Sequence, residues 1–163
     1  MAILELGLFS DEKLVRMARE ALQLRRYGRA GEFFREYCER QFRMGKPVPA
    51  SVLAAYGLVL GHMGRPKEGL DLCLKALSLN RRSADVYWGL AGLYALSRSR
   101  RKAIDAIDRG LSLSPGHPEL IRLRDEIGFR HTPPIPFLSR DSAVNVRLGK
   151  AIRKRRPKRT STS

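Results

Sequence analysis

The chain has 163 residues, with 32 Lys and Arg against 16 Asp and Glu, and its formal net charge is +16. This length suits one domain, or a domain with a tail. With 43% hydrophobic residues the chain can form a packed interior, so wholesale disorder is excluded. No apolar run is long enough for a membrane-spanning helix, and the two cysteines are too few for a disulfide framework. We therefore expect a cytoplasmic protein.

A degenerate pair of helices is predicted over about residues 14–49. The stretch 28–32 resembles the later stretch 64–68, and aromatic side chains follow it at the packing positions. Arg40 departs from the two later units, which have the small residues Ala76 and Gly110 at the corresponding position. Those aromatic residues are Phe33, Phe34 and Tyr37.

Two clearer helix pairs are predicted over residues 50–83 and 84–117, which align with each other position by position as consecutive repeats. The first helix of each pair has apolar residues at i, i+3, i+4 and i+7. Gly64 is predicted to end one helix and Pro66 to begin the next. In 84–117 the apolar positions are Tyr87, Leu90, Ala91 and Tyr94, then Ala103, Ile107 and Gly110.

This pattern resembles the tetratricopeptide repeat (TPR). Those seven residues and Pro115 fall on the signature positions of the family, with Gly110 in place of the usual alanine, while 50–83 match less closely. The resemblance implies an all-α fold of antiparallel helical hairpins, stacked as a short right-handed superhelix over residues 1–129 and closed by a capping helix at 118–129. The pentatricopeptide repeat, which is one residue longer and reads RNA, fits less well because Pro115 is in register with the TPR unit.

In TPR proteins the first helices line a concave groove, and the resemblance places seven residues of this chain there. Lys, Asn and Arg residues that clamp a peptide carboxylate in some members are missing, so the groove favours an amphipathic helix or an apolar peptide. For Trp88, packing between repeats and contact with a partner both remain open. The predicted groove residues are Ala54, Leu58, His62, Asp85, Trp88, Gly92 and Leu96.

The turns inside the two clearer pairs are basic, and the repeat period should bring them side by side. They are either an anion-binding stripe or solvated loops. Their basic residues are Arg65, Lys67, Arg98, Arg100, Arg101 and Lys102.

Two further segments follow the predicted repeats. Residues 130–141 contain three prolines and three large apolar residues, and predict an extended segment that either packs on the repeats or acts as a spacer. Residues 142–163 contain eight basic residues and no acidic one, and predict a basic amphipathic helix with a disordered end. Its candidate anion-binding residues are Arg153, Lys154, Arg155, Arg156, Lys158 and Arg159.

No catalytic or metal-binding pattern is present: His62, His117 and His131 are scattered, and no phosphate-binding glycine loop occurs. We therefore expect a protein without enzymatic activity or cofactor, which binds a peptide or helix of a partner protein and uses its basic tail to add affinity for an acidic partner. A non-specific binder of nucleic acid or of an anionic membrane surface is the alternative. A TPR chaperone of the type found in secretion systems is a minor possibility.

Overall fold

The computed structural model describes residues 8–128, and all regular secondary structure in this part of the chain is α-helical. The predicted all-α class is confirmed for these residues. The helices are α1 (Asp11–Gln23), α2 (Tyr27–Arg43), α3 (Ala50–His62), α4 (Pro66–Leu79), α5 (Ala84–Leu96), α6 (Arg100–Leu113) and α7 (Pro118–Ile127).

Helices α1 to α6 pack as three successive pairs, and α7 packs on the third pair. The α3–α4 pair is antiparallel, because Ala54 and Gly57 lie against Cys73 and Gly69, in reverse order along α4. Each first helix also packs on the first helix of the next pair. Helices α1, α3, α5 and α7 therefore form a first-helix layer, with α2, α4 and α6 behind it.

The middle helices α3 and α5 have no polar face, because both sides of each are covered by neighbouring helices. On α3, Val52 and Val59 belong to a core cluster shared with α1 and α2. Leu53 and Ala54 of the same helix belong to a second cluster, shared with α4 to α7. The interior thus consists of two apolar clusters that meet at α3.

Four of the helices (α1, α2, α3 and α5) end in the same hydrogen-bonded turn. In the first of them, the N–H groups of Arg25 and Arg26 donate to the carbonyls of Leu22 and Ala21 at 3.0 and 2.8 Å. The residue after each C-cap has a positive φ, and Gly64, at 81°, ends α3 as predicted while Pro66 begins α4. The other positive-φ residues of these turns are Arg25 (57°), Gly45 (64°) and Arg98 (55°).

The first helix begins at Asp11, earlier than the predicted start near residue 14. Ser10 explains the difference, because its hydroxyl accepts a hydrogen bond from the Lys13 amide at 3.3 Å and caps the helix. At the other end, α7 stops at Ile127, before the predicted bound at 129. Gly128 follows it with a φ of 67°, a conformation that ends a helix.

Arg40 shows how the degenerate first pair closes without the small residue that the repeat pattern requires. Its side chain is only 12% exposed and donates to the Phe9 carbonyl at 2.5 Å and to the Glu36 carboxylate at 2.8 Å. Asp11 lies 3.6 Å from the same guanidinium and also accepts a hydrogen bond from Gln41 at 2.6 Å. A half-buried polar network therefore occupies the position of the small residue at this end of the α1–α2 pair.

The predicted extended segment 130–141 and the predicted basic helix and tail 142–163 lie outside the described residues, as do all six of the tail's candidate anion-binding residues.

Candidate partner-binding groove

A groove with a cavity volume of about 420 Å³ runs across the first-helix layer. All four helices of that layer contribute to it, and the turn between α1 and α2 closes one end. Its volume falls within the range of pockets that hold small molecules or several side chains of a peptide. The lining residues include Arg19, Leu22, Arg25, Tyr27, Leu58, His62, Asp85, Trp88, Gly92, Leu96, Glu119, Arg122, Leu123 and Glu126.

Six of the seven groove residues predicted from the sequence line this one cavity; Ala54 does not. Ala54 is fully buried, because α5 crosses α3 at this point and brings Gly89 against its carbonyl group. A partner in the groove cannot contact it, so this assignment is corrected. The neighbouring Leu58, one turn further along α3, is the residue that reaches the cavity.

The floor of the groove is apolar and is shaped by a glycine. A Cβ atom built on Gly92 falls 2.6 Å from a methyl group of Leu58, so the glycine makes room for the leucine between α3 and α5. Leu58 is 5% exposed, whereas Leu96 at the end of α5 is 42% exposed. Trp88 packs against both core clusters and also lines the cavity, so its packing role does not remove it from the groove surface.

Asp85 lies in the groove with its carboxylate already engaged by two partners. Arg19 of α1 approaches it at 3.7 Å, and His117 Nε2 lies 3.0 Å from its Oδ1. The other ring nitrogen of His117 accepts a hydrogen bond from the Leu120 amide at 3.3 Å, which leaves the proton on Nε2 for donation to Asp85. Asp85 therefore fastens α1 and α7 to α5, and it is less available to a partner than the sequence predicted.

At the far end of the groove, the rings of Tyr27 and His62 stack with centroids 4.0 Å apart and planes 4° from parallel. Burial lowers the pKa of His62 below its ordinary value, and the positive charge of Arg25 lowers it further. The neutral form of the imidazole is therefore favoured, and the stacked rings form a flat wall of the groove. Sequence reasoning placed His62 in the groove but missed Tyr27, which lies in the degenerate first pair.

The groove carries no net charge, although the chain around it is strongly basic. Two of its charges pair across the helices, Arg19 with Asp85, and two pair within α7, where Arg122 lies 3.3 Å from Glu119. An apolar floor between balanced walls suits an amphipathic segment of another protein. Its charged lining residues are Arg19, Arg25 and Arg122, and Asp85, Glu119 and Glu126.

The predicted anion-binding residues of the two turns are exposed, but their charges are not equally available. Arg65 donates two hydrogen bonds to Glu68, at 2.7 and 2.5 Å, and this contact raises the pKa of Arg65 and lowers that of Glu68. Arg100 donates to the Ile127 carbonyl at 2.7 Å. Lys102 lies 5.7 Å from the centre of the Tyr94 ring. Lys67, Arg98 and Arg101 form no ion pair with any described residue.

The cysteines have the environment of packed thiols. Burial raises the pKa of Cys73 to about 12 and that of Cys38 to about 11, so neither is ionised near neutral pH. Among residues 8–128, no three His, Cys, Asp or Glu side chains come together as metal ligands would. Nor is any helix in that range both long and apolar enough to cross a membrane.

Comparison with models of known protein families finds no match, and comparison with curated proteins finds no significant relative. The function of the protein is therefore inferred from the geometry and chemistry of the groove and of the turns.

Proposed function

We propose that the protein is a non-enzymatic interaction scaffold that binds an amphipathic helix or apolar peptide of a partner protein in the groove. The observation that carries this proposal is the convergence of α1, α3, α5 and α7 on one cavity of about 420 Å³. Helical repeats use such concave surfaces to bind other proteins. The pairwise helix packing and the TPR-like signature in residues 84–117 support assignment to a TPR-type superhelix.

The mode of binding follows from the exposed part of the groove. Leu96 and Trp88 offer apolar surface in it, and the stacked rings of Tyr27 and His62 bound it on one side. Aromatic and aliphatic groups in a partly desolvated depression are the usual anchors of an interface. The charged rim then orients the segment, with Arg25 and Glu126 as its charged groups outside any ion pair among the described residues.

The basic tail belongs to this proposal as an accessory that adds electrostatic affinity when the partner is acidic. The thiols of Cys38 and Cys73 are both free, which favours a reducing compartment such as the cytoplasm.

A peptide-display selection tests the groove directly. Random peptides are selected on the wild-type protein and then measured on two variants, Leu96→Glu in the groove and Leu113→Glu outside it. These leucines are matched, because they are 42% and 43% exposed and each lies at the end of a helix. We expect selected peptides to be amphipathic and to bind Leu96→Glu at least about tenfold more weakly, since burying a carboxylate against an apolar segment is costly. The Leu113→Glu variant should bind the selected peptides as tightly as the wild type does.

Leu58→Glu is not a suitable variant, because its buried side chain supports the fold. Equal binding of the selected peptides by both variants would contradict the groove as the binding site. Failure to select any peptide above background, with the fold intact, would contradict the scaffold itself.

A further inference from the structure

The turns of the three helix pairs lie side by side at one edge of the molecule. The Tyr27 ring, at the start of α2, stacks on His62 at the end of α3, which brings the first turn against the second. Gly61, near the end of α3, lies so close to Leu96 that a Cβ atom on it would fall 3.2 Å from a methyl group of that leucine. The second turn therefore lies against the third. We call these turns the basic edge, after Arg25, Arg26, Arg29, Arg65, Lys67, Arg98, Arg100, Arg101 and Lys102.

The basic edge accounts for the entire net charge of the described part of the chain. Residues 8–128 contain 22 basic and 14 acidic side chains, a net charge of +8. The edge, taken as residues 24–29, 63–68 and 97–102, contains nine basic side chains and one acidic side chain, Glu68, and is also +8. The remaining described residues are neutral in sum, so the positive field is concentrated on one edge.

Most of this charge is open to a ligand. Glu68 neutralises Arg65 through its two hydrogen bonds. Five other cations of the basic edge form no ion pair with a described residue, and all five are exposed. They are distributed over all three turns: Arg25 and Arg26, then Lys67, then Arg98 and Arg101.

Several of these residues occupy positions where the backbone conformation or the helix dipole favours a different residue type. Arg25 and Arg98 hold a positive φ at the position where the middle turn has Gly64, and this conformation disfavours any residue with a Cβ atom. Helix α6 opens with Arg100, Arg101 and Lys102, where the helix dipole favours acidic residues, and Ser99 makes no side-chain capping bond. Conflicts of this kind between local preference and sequence are typical of functional sites.

We infer that the basic edge binds the phosphate backbone of a nucleic-acid duplex without reading its sequence. Seven of the nine cations are arginines, whose planar guanidinium group pairs with phosphate in two-pronged fashion. Packed helices lie about 8–10 Å apart, so three turns present a row of charge roughly 20 Å long, which matches a linear polyanion. The basic edge adjoins the groove and shares Arg25 and Tyr27 with it, but the inference rests on the cations of the three turns and does not depend on the function proposed for the groove.

The chemistry of the edge favours a duplex over two other polyanionic partners. A single strand is bound by stacking its bases on aromatic side chains, and the two tyrosines nearest the edge, Tyr27 and Tyr94, are half-buried and already contact His62 and Lys102. A membrane surface needs apolar side chains gathered beside the cations. Leu24, Met63 and Leu96 are exposed beside the cations, but large exposed apolar residues are equally frequent at the opposite edge, at Phe42, Leu79 and Leu113, so they do not mark the basic edge as a membrane surface.

The experiment measures binding of the full chain to a labelled DNA duplex of about 20 base pairs, between about 50 and 200 mM salt. The edge variant is Arg98→Gly with Arg101→Gln, and the control is Arg81→Gln with Arg82→Gln, two exposed arginines of the α4–α5 turn at the opposite edge. Both variants lose two positive charges and retain the tail. We expect the edge variant to bind the duplex at least about fivefold more weakly than the wild type at about 100 mM salt. The slope of log affinity against log salt concentration should become shallower by about 0.9 for each phosphate that the variant no longer neutralises. The duplex affinity of the control variant should differ from that of the wild type by less than about twofold.

Thermal unfolding separates a weakened interface from a damaged fold. Arg98→Gly keeps the positive φ but places there a residue that adopts it without strain, and Arg101→Gln removes an unfavourable charge at a helix start. The unfolding midpoint of the edge variant should therefore be at or above that of the wild type. If it is lower, Arg26→Gln with Lys67→Gln provides a second test, and the same reduction of duplex affinity is expected.

Three results would overturn the inference. Equal losses of duplex affinity in the edge and control variants would mean that only the net charge matters. Unchanged duplex binding by both edge variants would exclude the basic edge as the binding surface. Edge-dependent binding to vesicles made of equal parts phosphatidylserine and phosphatidylcholine, or to polyglutamate, at least as tight as binding to the duplex would assign the edge to a membrane or to an acidic protein instead.

Discussion

At the scale of single residues, His62 makes the stability of the fold depend on pH. Its folded pKa lies below the ordinary value of 6.5 because of burial, and then because of the charge of Arg25. The folded protein therefore binds fewer protons at this site than the unfolded chain, so the free energy of unfolding should fall as the pH drops from 6.5 towards the folded pKa. Above that ordinary value both states are neutral and the effect disappears.

Proton NMR titration of His62 measures this pKa directly, with Arg25→Gln as the matched change. We expect a wild-type value below 6.5 and a higher value in Arg25→Gln, because the variant removes a repelling charge. His62→Gln should reduce the slope of stability against pH in the acidic range. A wild-type pKa at or above the ordinary value would show that the stacked ring is not held neutral.

Individual residues also show how far the groove was predictable. The helical spacing of Leu58, His62, Trp88, Gly92 and Leu96 fixed the face that they share, and this face lines the cavity. Spacing alone does not show where a neighbouring helix crosses, and Ala54 was misassigned for that reason. The contributions of α1 and α7 were not predicted, since repeat position says nothing about residues brought in by a degenerate unit or a terminal helix.

At the scale of helices, the α3–α4 pair depends on two glycines that face each other. A Cβ atom on Gly57 would lie 2.5 Å from the carbonyl oxygen of Gly69, and one on Gly69 would collide in the same way with the carbonyl oxygen of Gly57. Backbone atoms cannot move aside as a flexible side chain can. Gly57→Ala should therefore push the two helices apart and lower the free energy of unfolding by about 2 kcal/mol or more.

Gly28→Ala is the control for this prediction. Gly28 lies in α2 with nothing within 4 Å of a built Cβ atom, so alanine there should be neutral or stabilise the protein by about 0.5 kcal/mol through helix propensity. Urea unfolding of the two variants gives the comparison. Similar free energies for both would mean that the close approach of α3 and α4 contributes nothing to stability.

The helix pairs themselves were largely predictable, because apolar periodicity and the residues Gly64 and Pro66 fix where helices lie and end. The basic edge was predicted only in part. Its second and third turns recur at the same place in the two clear repeats and were recognised. The first turn does not follow this period, because its positive-φ residue Arg25 is more than one repeat length from Gly64, the positive-φ residue of the second turn. That irregular spacing hid the contribution of the first turn, although the cluster at 24–29 was visible as a local excess of arginine.

At the scale of the whole molecule, the distribution of charge separates two surfaces. The total of +16 divides into +8 in residues 8–128, all of it on the basic edge, and +8 in residues 142–163, while Glu5, Arg130, Arg140 and Asp141 cancel. The groove is neutral by comparison. Salt should therefore affect duplex binding strongly and peptide binding little, so the two proposals predict separable responses in one protein.

The two core clusters are joined through α3 and through the side chains of Trp88 and Val48, which both pack against each cluster. Because each repeat unit contacts only its neighbours, stability in such stacks depends on the contacts between units. Trp88→Ala removes the largest of these side chains and should lower the free energy of unfolding by about 2–4 kcal/mol, less than for a fully buried tryptophan.

Hydrogen exchange shows whether this side chain also couples the clusters. In the wild type, the most protected amides of α2 and α6, around Phe34 and Ile107, should share one opening free energy, as in a single cooperative unit. In Trp88→Ala the two values should separate by about 1 kcal/mol or more, because each cluster can then open alone. Trp88→Phe, which keeps an aromatic ring at the junction, should preserve the common value. If Trp88→Ala instead lowers the opening free energies around Phe34 and Ile107 by the same amount, the two clusters are coupled through α3. Val52 and Leu53, which are adjacent in that helix, belong to different clusters.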